Sequence, residues 1–330
     1  MSVLDYLPNV RIMSTVKQED DEEAWLKART FGIGGSDIGP ICGVSNFSTA
    51  RLIYLRKTGQ YNDTIDPESA SGERMHFGHM LEPVVAAEYA LRTGNKVVET
   101  PATVCHKDFP WALANVDRFI VDDEGKPTGI LECKTTDARN WSEWDEGNIP
   151  MTYIYQLNWY LWVCDLKFGA FACLIGGNKF VMIEIFRNDD LLNETMIPAA
   201  DTFWNHNVKN LIEPPLSGSD ADSDYVKDRY ADPDTGSEIK MLEDEELNDV
   251  AVTYMAKKAE LKALEKEVDA LGNTLKEAVG NFEIGYTSET IIKWAQQTQV
   301  RVDTTKLKED YPDVYSKCTK EIKFRKLLVK

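Results

Sequence analysis

The sequence predicts an α/β fold, with helices around a mixed sheet of about five strands, and three observations predict it. Between Ala112 and Thr135 two short apolar runs flank Asp122-Asp123-Glu124-Gly125-Lys126-Pro127, turn chemistry that makes them a hairpin. Met151 to Val163 is apolar around most of a helix, so it must be buried on nearly all sides. Phe168 to Ile175 and Lys179 to Phe186 close around Gly176-Gly177-Asn178 as a second hairpin. Strand-like and helix-like runs interleaved in one chain belong to layered α/β domains.

The remaining elements follow in order. An acidic run, Glu19 to Glu23, leads into a short helix, Ala24 to Thr30, carrying Trp25 and Arg29; acids suit a helix start. Gly32-Ile-Gly-Gly-Ser-Asp37 is a turn before a helix at Ile38 to Cys42, with Ser36 or Asp37 as its N-cap. Ser48 to Thr58 is helical and stopped by Gly59. A polar loop, Tyr61 to Gly72, precedes a long helix, Glu73 to Leu91, whose core stripe is Phe77, Leu81, Val84, Val85 and Tyr89, with Pro83 expected to kink it beside Glu82. Lys96 to Val104 and Trp111 to Val121 read as the first two strands of an antiparallel meander ending in Gly129 to Thr135. Trp141 to Gly147 is a polar turn, and Asp189 to Asn210 an amphipathic helix followed by Pro214-Pro215.

With 330 residues the chain divides by composition into residues 1–215, an acidic linker at 216–249 and a C-terminal arm at 250–330. The arm opens on a coiled-coil seam running from Leu247 and Val250 to Leu275 and Ala278, broken only at Lys257. Short strand-like runs at Thr290 to Trp294 and Gln299 to Val302, then a helix at Thr304 to Asp310, complete it. Of the net charge of −18, half lies between Asp220 and Asp249, where twelve acids face three bases. An anionic chain is a poor partner for phosphate in general, so nucleic-acid binding would rest on local cations such as Arg29, Arg51, Arg56, Arg74, Arg92, Arg118 and Arg139. The six cysteines form no Cys-x-x-Cys pair, which excludes a zinc knuckle and leaves reduced, buried thiols. No run of eighteen apolar residues spans a membrane, and Met1 to Gln18 lacks a secretory pattern, so a cytoplasmic location is expected.

Chemistry concentrates on the central hairpin. Side chains alternate along a strand, so Glu132 and Lys134 share one face while Leu131 and Cys133 take the other. Asp117 on the neighbouring strand can join them, and two carboxylates in an apolar sheet are costly unless a divalent cation neutralises them. A lone Glu-x-Lys is ordinarily a solvated face. Glu82, beside the apolar stripe of its helix, and Gln156, within a nearly all-apolar helix, are polar groups in places that ask for a partner.

Five pieces stand in one order: Trp25-x-x-x-Arg29 with Gly32-Ile-Gly-Gly-Ser-Asp37, Gly78-x-x-x-Glu82-Pro83, Asn115-Val-Asp117, Glu132-Cys133-Lys134, and Tyr155-Gln156-Leu-Asn-Trp-Tyr160. Together they resemble the YqaJ and bacteriophage lambda exonuclease family of the PD-(D/E)XK nuclease superfamily. The resemblance covers the first two-thirds of the chain and thins beyond Pro214. It implies a PD-(D/E)XK core and a magnesium-dependent exonuclease, manganese able to substitute, digesting linear double-stranded DNA 5′ to 3′ in phage-type recombination. It implies also a ring-shaped trimer and a single-strand annealing protein as partner. Asp117, Glu132 and the Cys133 backbone carbonyl would hold the metal with Glu82, Lys134 would position and help deprotonate water, and Gln156 would complete the cluster. Arg29, Ser36, Gly35 and Asn115 would bind the terminal 5′ phosphate, Asn115 standing where the lambda exonuclease branch has a serine. Three alternatives stay open on the residues alone: an endonuclease or nickase on the same core, a non-catalytic DNA-binding or annealing protein, and a scaffold acting through the seam.

Overall fold

The structure, a computed structural model, describes residues 2–16, 20–61, 68–144, 148–234, 236–239, 241 and 244–329. Two compact units result, residues 1–226 and 227–330. In the first, β1 (Val10–Ser14) precedes the helices α1 (Glu22–Thr30), α2 (Gly35–Ile41), α3 (Ala50–Lys57) and α4 (Ala70–Thr93). There follow β2 (Lys96–Val98), β3 (Thr103–His106), β4 (Leu113–Ala114), β5 (Arg118–Val121), β6 (Pro127–Thr136), α5 (Met151–Val163), β7 (Phe168–Ile175) and β8 (Lys179–Phe186).

The main sheet has the order β2-β5-β6-β7-β8 and is mixed: β6 and β7 run parallel, the other neighbours antiparallel. A parallel pair needs a crossover, and the all-round apolar α5 supplies it. The two faces of the sheet are covered differently. Ile120, Leu131, Cys133, Ala170 and Ala172 pack with Val85, Ala86 and Tyr89 of α4. Phe119, Ile130, Phe171 and Cys173 join Leu157, Trp159 and Leu161 of α5 in the larger core, which also takes in α2 and α3. Gly176 and Gly177 have φ of +59° and +78° in the β7–β8 turn, a conformation that excludes most other residues.

Several expectations need correction. The Lys96 to Val104 run splits at Pro101 into β2 and β3, and Trp111 to Val121 splits into β4 and β5. Proline lacks the N–H a ladder requires, and the released pieces β3 and β4 pair with β1, a strand not foreseen, in a second three-stranded sheet. The α4 stripe is only partly core: Val85 and Tyr89 are buried while Phe77 and Val84 are exposed, and α4 continues unbroken through Pro83. The N-cap of α2 is Gly34, because Asp37 at the third helical position reaches back to accept from the Gly34 amide. The amphipathic run after β8 is not plain α-helix: α6 (Asp189–Leu191) and α7 (Ile197–Asp201) alternate with π-wound turns at Leu192–Met196 and Thr202–Val208. Pro198, without an N–H, removes one α-type bond at the first of these junctions.

The segment expected to be a linker contains α8 (Asp220–Arg229). Its Asp222 is buried and accepts from Thr49 Oγ1 at 2.7 Å and from Ser217 N and Oγ at 2.6 and 2.7 Å, so one of the acids read as solvated fastens α8 to the start of α3. The Glu19 to Glu23, Tyr61 to Gly72, Trp141 to Gly147 and 216–249 readings lie partly outside the described residues. In the second unit α9 (Glu245–Val279) is a single 35-residue helix, capped by the Asp244 side chain. After it come the hairpin β9 (Ile284–Tyr286) and β10 (Ile291–Lys293), then α10 (Thr304–Asp310) and α11 (Pro312–Cys318). Gln299 to Val302 forms no strand. No described helix is long and apolar enough to cross a membrane.

Candidate active site

The β5–β6 register pairs Arg118 with Leu131, which sets Asp117, one residue before β5, against Glu132. Asp117 Oδ2 accepts from the Cys133 backbone N at 2.8 Å. On the α5 face of β6, Lys134 Nζ lies 2.9 Å from Glu132 Oε2 and 3.3 Å from Gln156 Oε1, while Gln156 Nε2 donates to the same Glu132 oxygen at 3.0 Å. Gln156 therefore receives from the ammonium and donates to the carboxylate, as an amide can and a second acid could not. Glu132 is fully buried, and its other oxygen, Oε1, has no hydrogen-bond partner. A buried carboxyl oxygen without a partner, near a second carboxylate, is an oxygen donor suited to a divalent cation.

Electrostatics points the same way. Burial, reinforced by the Asp117 charge, pushes the Glu132 carboxyl up to about 8. Burial works against the Lys134 ammonium, but Glu132 and Asp117 outweigh it and hold the proton on more firmly than in water. Lys134 is thus a charged donor, fitted to orient water or a phosphate oxygen rather than to remove a proton.

Glu82 approaches the same acids from α4. Arg118 NH1 donates to Glu82 Oε1 at 2.6 Å and to the Asp117 carbonyl at 2.5 Å, and its NH2 lies 3.5 Å from Glu99. Burial and the Asp117 charge raise the Glu82 pKa against the pull of Arg118. Arg118, counted above among cations for DNA, is instead buried and committed to these acids. Among the described residues no three His, Cys, Asp or Glu side chains converge as a metal cluster of their own. A magnesium ion here would rest on Asp117, Glu132 and the Cys133 carbonyl, with water and substrate oxygens completing its shell, as magnesium commonly does.

The glycine-rich turn lies against this cluster. A Cβ on Gly35 would stand 2.5 Å from a ring carbon of Tyr160 and 3.0 Å from Gln156 Cγ, so only glycine lets α2 approach α5 this closely. Trp159 Nε1 lies within hydrogen-bonding reach of the Ile33 and Leu113 carbonyls, tying the turn to β4. Arg29 stacks on Trp25, 4.5 Å from the ring centroid, and its NH2 donates to Ser36 Oγ at 2.7 Å. Ser36 is exposed, so guanidinium and hydroxyl form a polar pair at the surface beside Gly35. Asn115 is turned elsewhere: its Nδ2 donates to Thr103 Oγ1 at 2.7 Å. The fold therefore brings Asp117, Glu132, Lys134 and Gln156 together, holds Glu82 near enough for its charge to act on Asp117 and Glu132, sets Arg29, Ser36 and Gly35 beside them, and engages Asn115 with Thr103.

Sequence reading missed a support beneath the turn. Lys57 Nζ lies 2.7 Å from Asp37 Oδ2 and donates to the Arg29 carbonyl at 2.7 Å, linking the end of α1, the start of α2 and α3. Burial alone would raise the Asp37 pKa, but Lys57 and Arg29 bring it below the usual range. Nothing about Lys57 in its helical run marks it, whereas Arg118 carried a signal in following Asp117 directly. Lys57→Met strands Asp37 as a buried charge and should cost about 3–5 kcal/mol, read as a lowered midpoint in denaturant unfolding.

A family model described as the YqaJ-like viral recombinase domain matches residues 24–167, a span that holds every residue of the cluster and the turn. The protein named Uncharacterized protein YqaJ, from Bacillus subtilis (strain 168), is 37% identical over 314 residues, 94% of this chain and 95% of that protein. Among solved structures, the alkaline exonuclease LHK-Exo from Laribacter hongkongensis is 20% identical with a TM-score of 0.44, over 63% of this chain and 98% of that one. A phage related exonuclease from Haemophilus somnus 129PT is 11% identical with a TM-score of 0.39, over 55% and 96% of the two chains. Identity at this level along nearly the whole of both sequences shows that the chain belongs to the YqaJ-like viral recombinase family.

Proposed function

We propose that the protein is a magnesium-dependent deoxyribonuclease that digests linear double-stranded DNA from a 5′ end, leaving single strands for recombination. The observation that carries this reading is Glu132 Oε1, buried and without a hydrogen-bond partner on a carboxyl whose other oxygen takes Lys134 and Gln156. Magnesium held by Asp117, Glu132 and the Cys133 carbonyl would supply positive charge to the scissile phosphate and acidify the attacking water. Lys134, kept protonated by its acidic neighbours, orients that water or a phosphate oxygen. Gln156 fixes Lys134 and Glu132 relative to each other. Arg29 and Ser36, beside Gly35, offer a guanidinium and a hydroxyl to a terminal phosphate on the other side of Gln156.

The direct test is incubation with linear duplexes, 5′-phosphorylated or not, and with closed circles, with and without magnesium. Degradation of linear DNA alone, only with the metal, is expected. Cleavage of closed circles would move the assignment to an endonuclease on the same core.

The raised Glu132 pKa gives a second prediction. The folded, metal-free protein keeps a proton on Glu132 up to about 8, while the unfolded chain releases it near 4.5. The folded state then binds more protons in that window, so metal-free stability falls as pH rises through it. Magnesium competes with the same proton. Thermal unfolding at pH 6, 7 and 8 should show a stabilisation by magnesium that grows with pH, and Glu132→Gln should abolish both that growth and the stabilisation itself.

A further inference from the structure

We propose that the apolar seam of α9 joins two copies of this chain as an antiparallel two-stranded coiled coil. Among the described residues of 227–330 only Val279 is buried, so this unit lacks a core sufficient to hold it alone. From Leu247 to Ala278, ten positions alternate at spacings of three and four, and all but Lys257 are apolar or aromatic. The larger members of the seam are 37% to 66% exposed. Such a stripe, about 47 Å long at the helical rise of 1.5 Å per residue, has to be covered.

The charges beside the seam decide the occupant. In a parallel pair Lys257 would face its own copy across the core, and Glu260 would face the second copy's Glu265 on both flanks. A parallel three-stranded bundle would repeat the clash three times. Reversal removes the lysine clash: with Leu261 against the second copy's Leu264, Tyr254 meets Leu271, Val250 meets Leu275 and Leu247 meets Ala278. Every apolar position finds an apolar partner except Val268, which meets the Lys257 stem, and long lysine stems cover apolar surface well. Lys258 then faces Glu265 twice, related by the dyad. Glu260 faces Glu267 as it faced Glu265, with the same counter-ion, Lys257, at 2.9 Å, so the glutamates favour neither direction and the lysines decide. A surface that is complementary to itself under a twofold pairs two arms and leaves no face for a third.

The test uses the full chain. Sedimentation should give an assembly of twice the mass of the Leu264→Lys variant, and Lys258→Glu should weaken association about tenfold, since two pairs per dimer turn from attraction to repulsion. Adding Glu265→Lys to Lys258→Glu should restore it, which a variant that merely unfolds could not do. Nitroxides on Asn248→Cys, with the exposed Cys318 replaced by serine, should lie about 44 Å apart, the rise over the 29 residues between 248 and its counterpart 277. Equal masses for wild type and Leu264→Lys, absence of rescue by the double swap, or a spin separation below about 20 Å would each overturn the proposal.

Discussion

Glu132→Gln and Lys134→Ala should each slow magnesium-dependent hydrolysis of a linear duplex by about a thousandfold or more, with the fold intact. Losing a ligand to the metal, or the group that orients water against the phosphate, removes several kcal/mol of transition-state stabilisation, and about 4 kcal/mol is three decades in rate. The fold should survive because neither change strands a charge. Glu132→Gln puts a neutral amide where the metal-free protein already prefers a neutral carboxyl, its pKa raised to about 8 by burial and the Asp117 charge. Lys134→Ala leaves Glu132 without its ammonium, but that carboxyl can answer by taking up a proton, as its burial already favours. Near-ultraviolet circular dichroism and the unfolding midpoint should therefore stay close to wild type while activity disappears. If either variant keeps activity within about tenfold of wild type, the buried carboxylate and lysine are structural and the metal-site reading fails.

Legibility of the sequence followed the strength of the local signal. Residues 151–163, 168–175 and 179–186 became α5, β7 and β8 at the expected boundaries, because an all-round apolar helix and a glycine turn with positive φ admit few alternatives. Asp117, Glu132, Lys134 and Gln156 were legible for a related reason: polar residues in apolar elements must find one another. Contacts between polar groups far apart in sequence were not. The Lys57–Asp37 pair, the Arg118–Glu82 bridge and the Thr49–Asp222 bond join residues 20, 36 and 173 positions apart, and nothing local to one partner names the other. Helix periodicity also misled in α4, since 3.6-residue spacing identifies one side of a helix but not whether the neighbouring layer reaches along its full length. Phe77 and Val84 lie where it does not.

Arg29→Ala should make the enzyme nearly blind to the chemistry of the 5′ end. A terminal phosphate monoester carries more negative charge than an internal diester, and a guanidinium held over the Trp25 ring with one nitrogen on Ser36 Oγ presents its remaining donors in a fixed fork. Such a contact forms with a phosphorylated end and has nothing to grip on a hydroxyl end. A charge-assisted hydrogen bond is worth about 1.5–3 kcal/mol, so digestion of phosphorylated duplex should slow by about 10- to 150-fold and that of hydroxyl-ended duplex by less than about threefold. The loss should appear in KM more than in kcat, because Gln156 and Tyr160 separate Arg29 from the acids and the reacting centre stays untouched. Arg29→Lys should recover only part of the preference, an ammonium supplying the charge without the fork or the flat face for Trp25. Equal slowing on both duplexes would mean that Arg29 supports the α1–α2 turn rather than reading the end. Lys57→Met is the control for that outcome, since it disturbs the same turn from beneath while leaving the guanidinium in place.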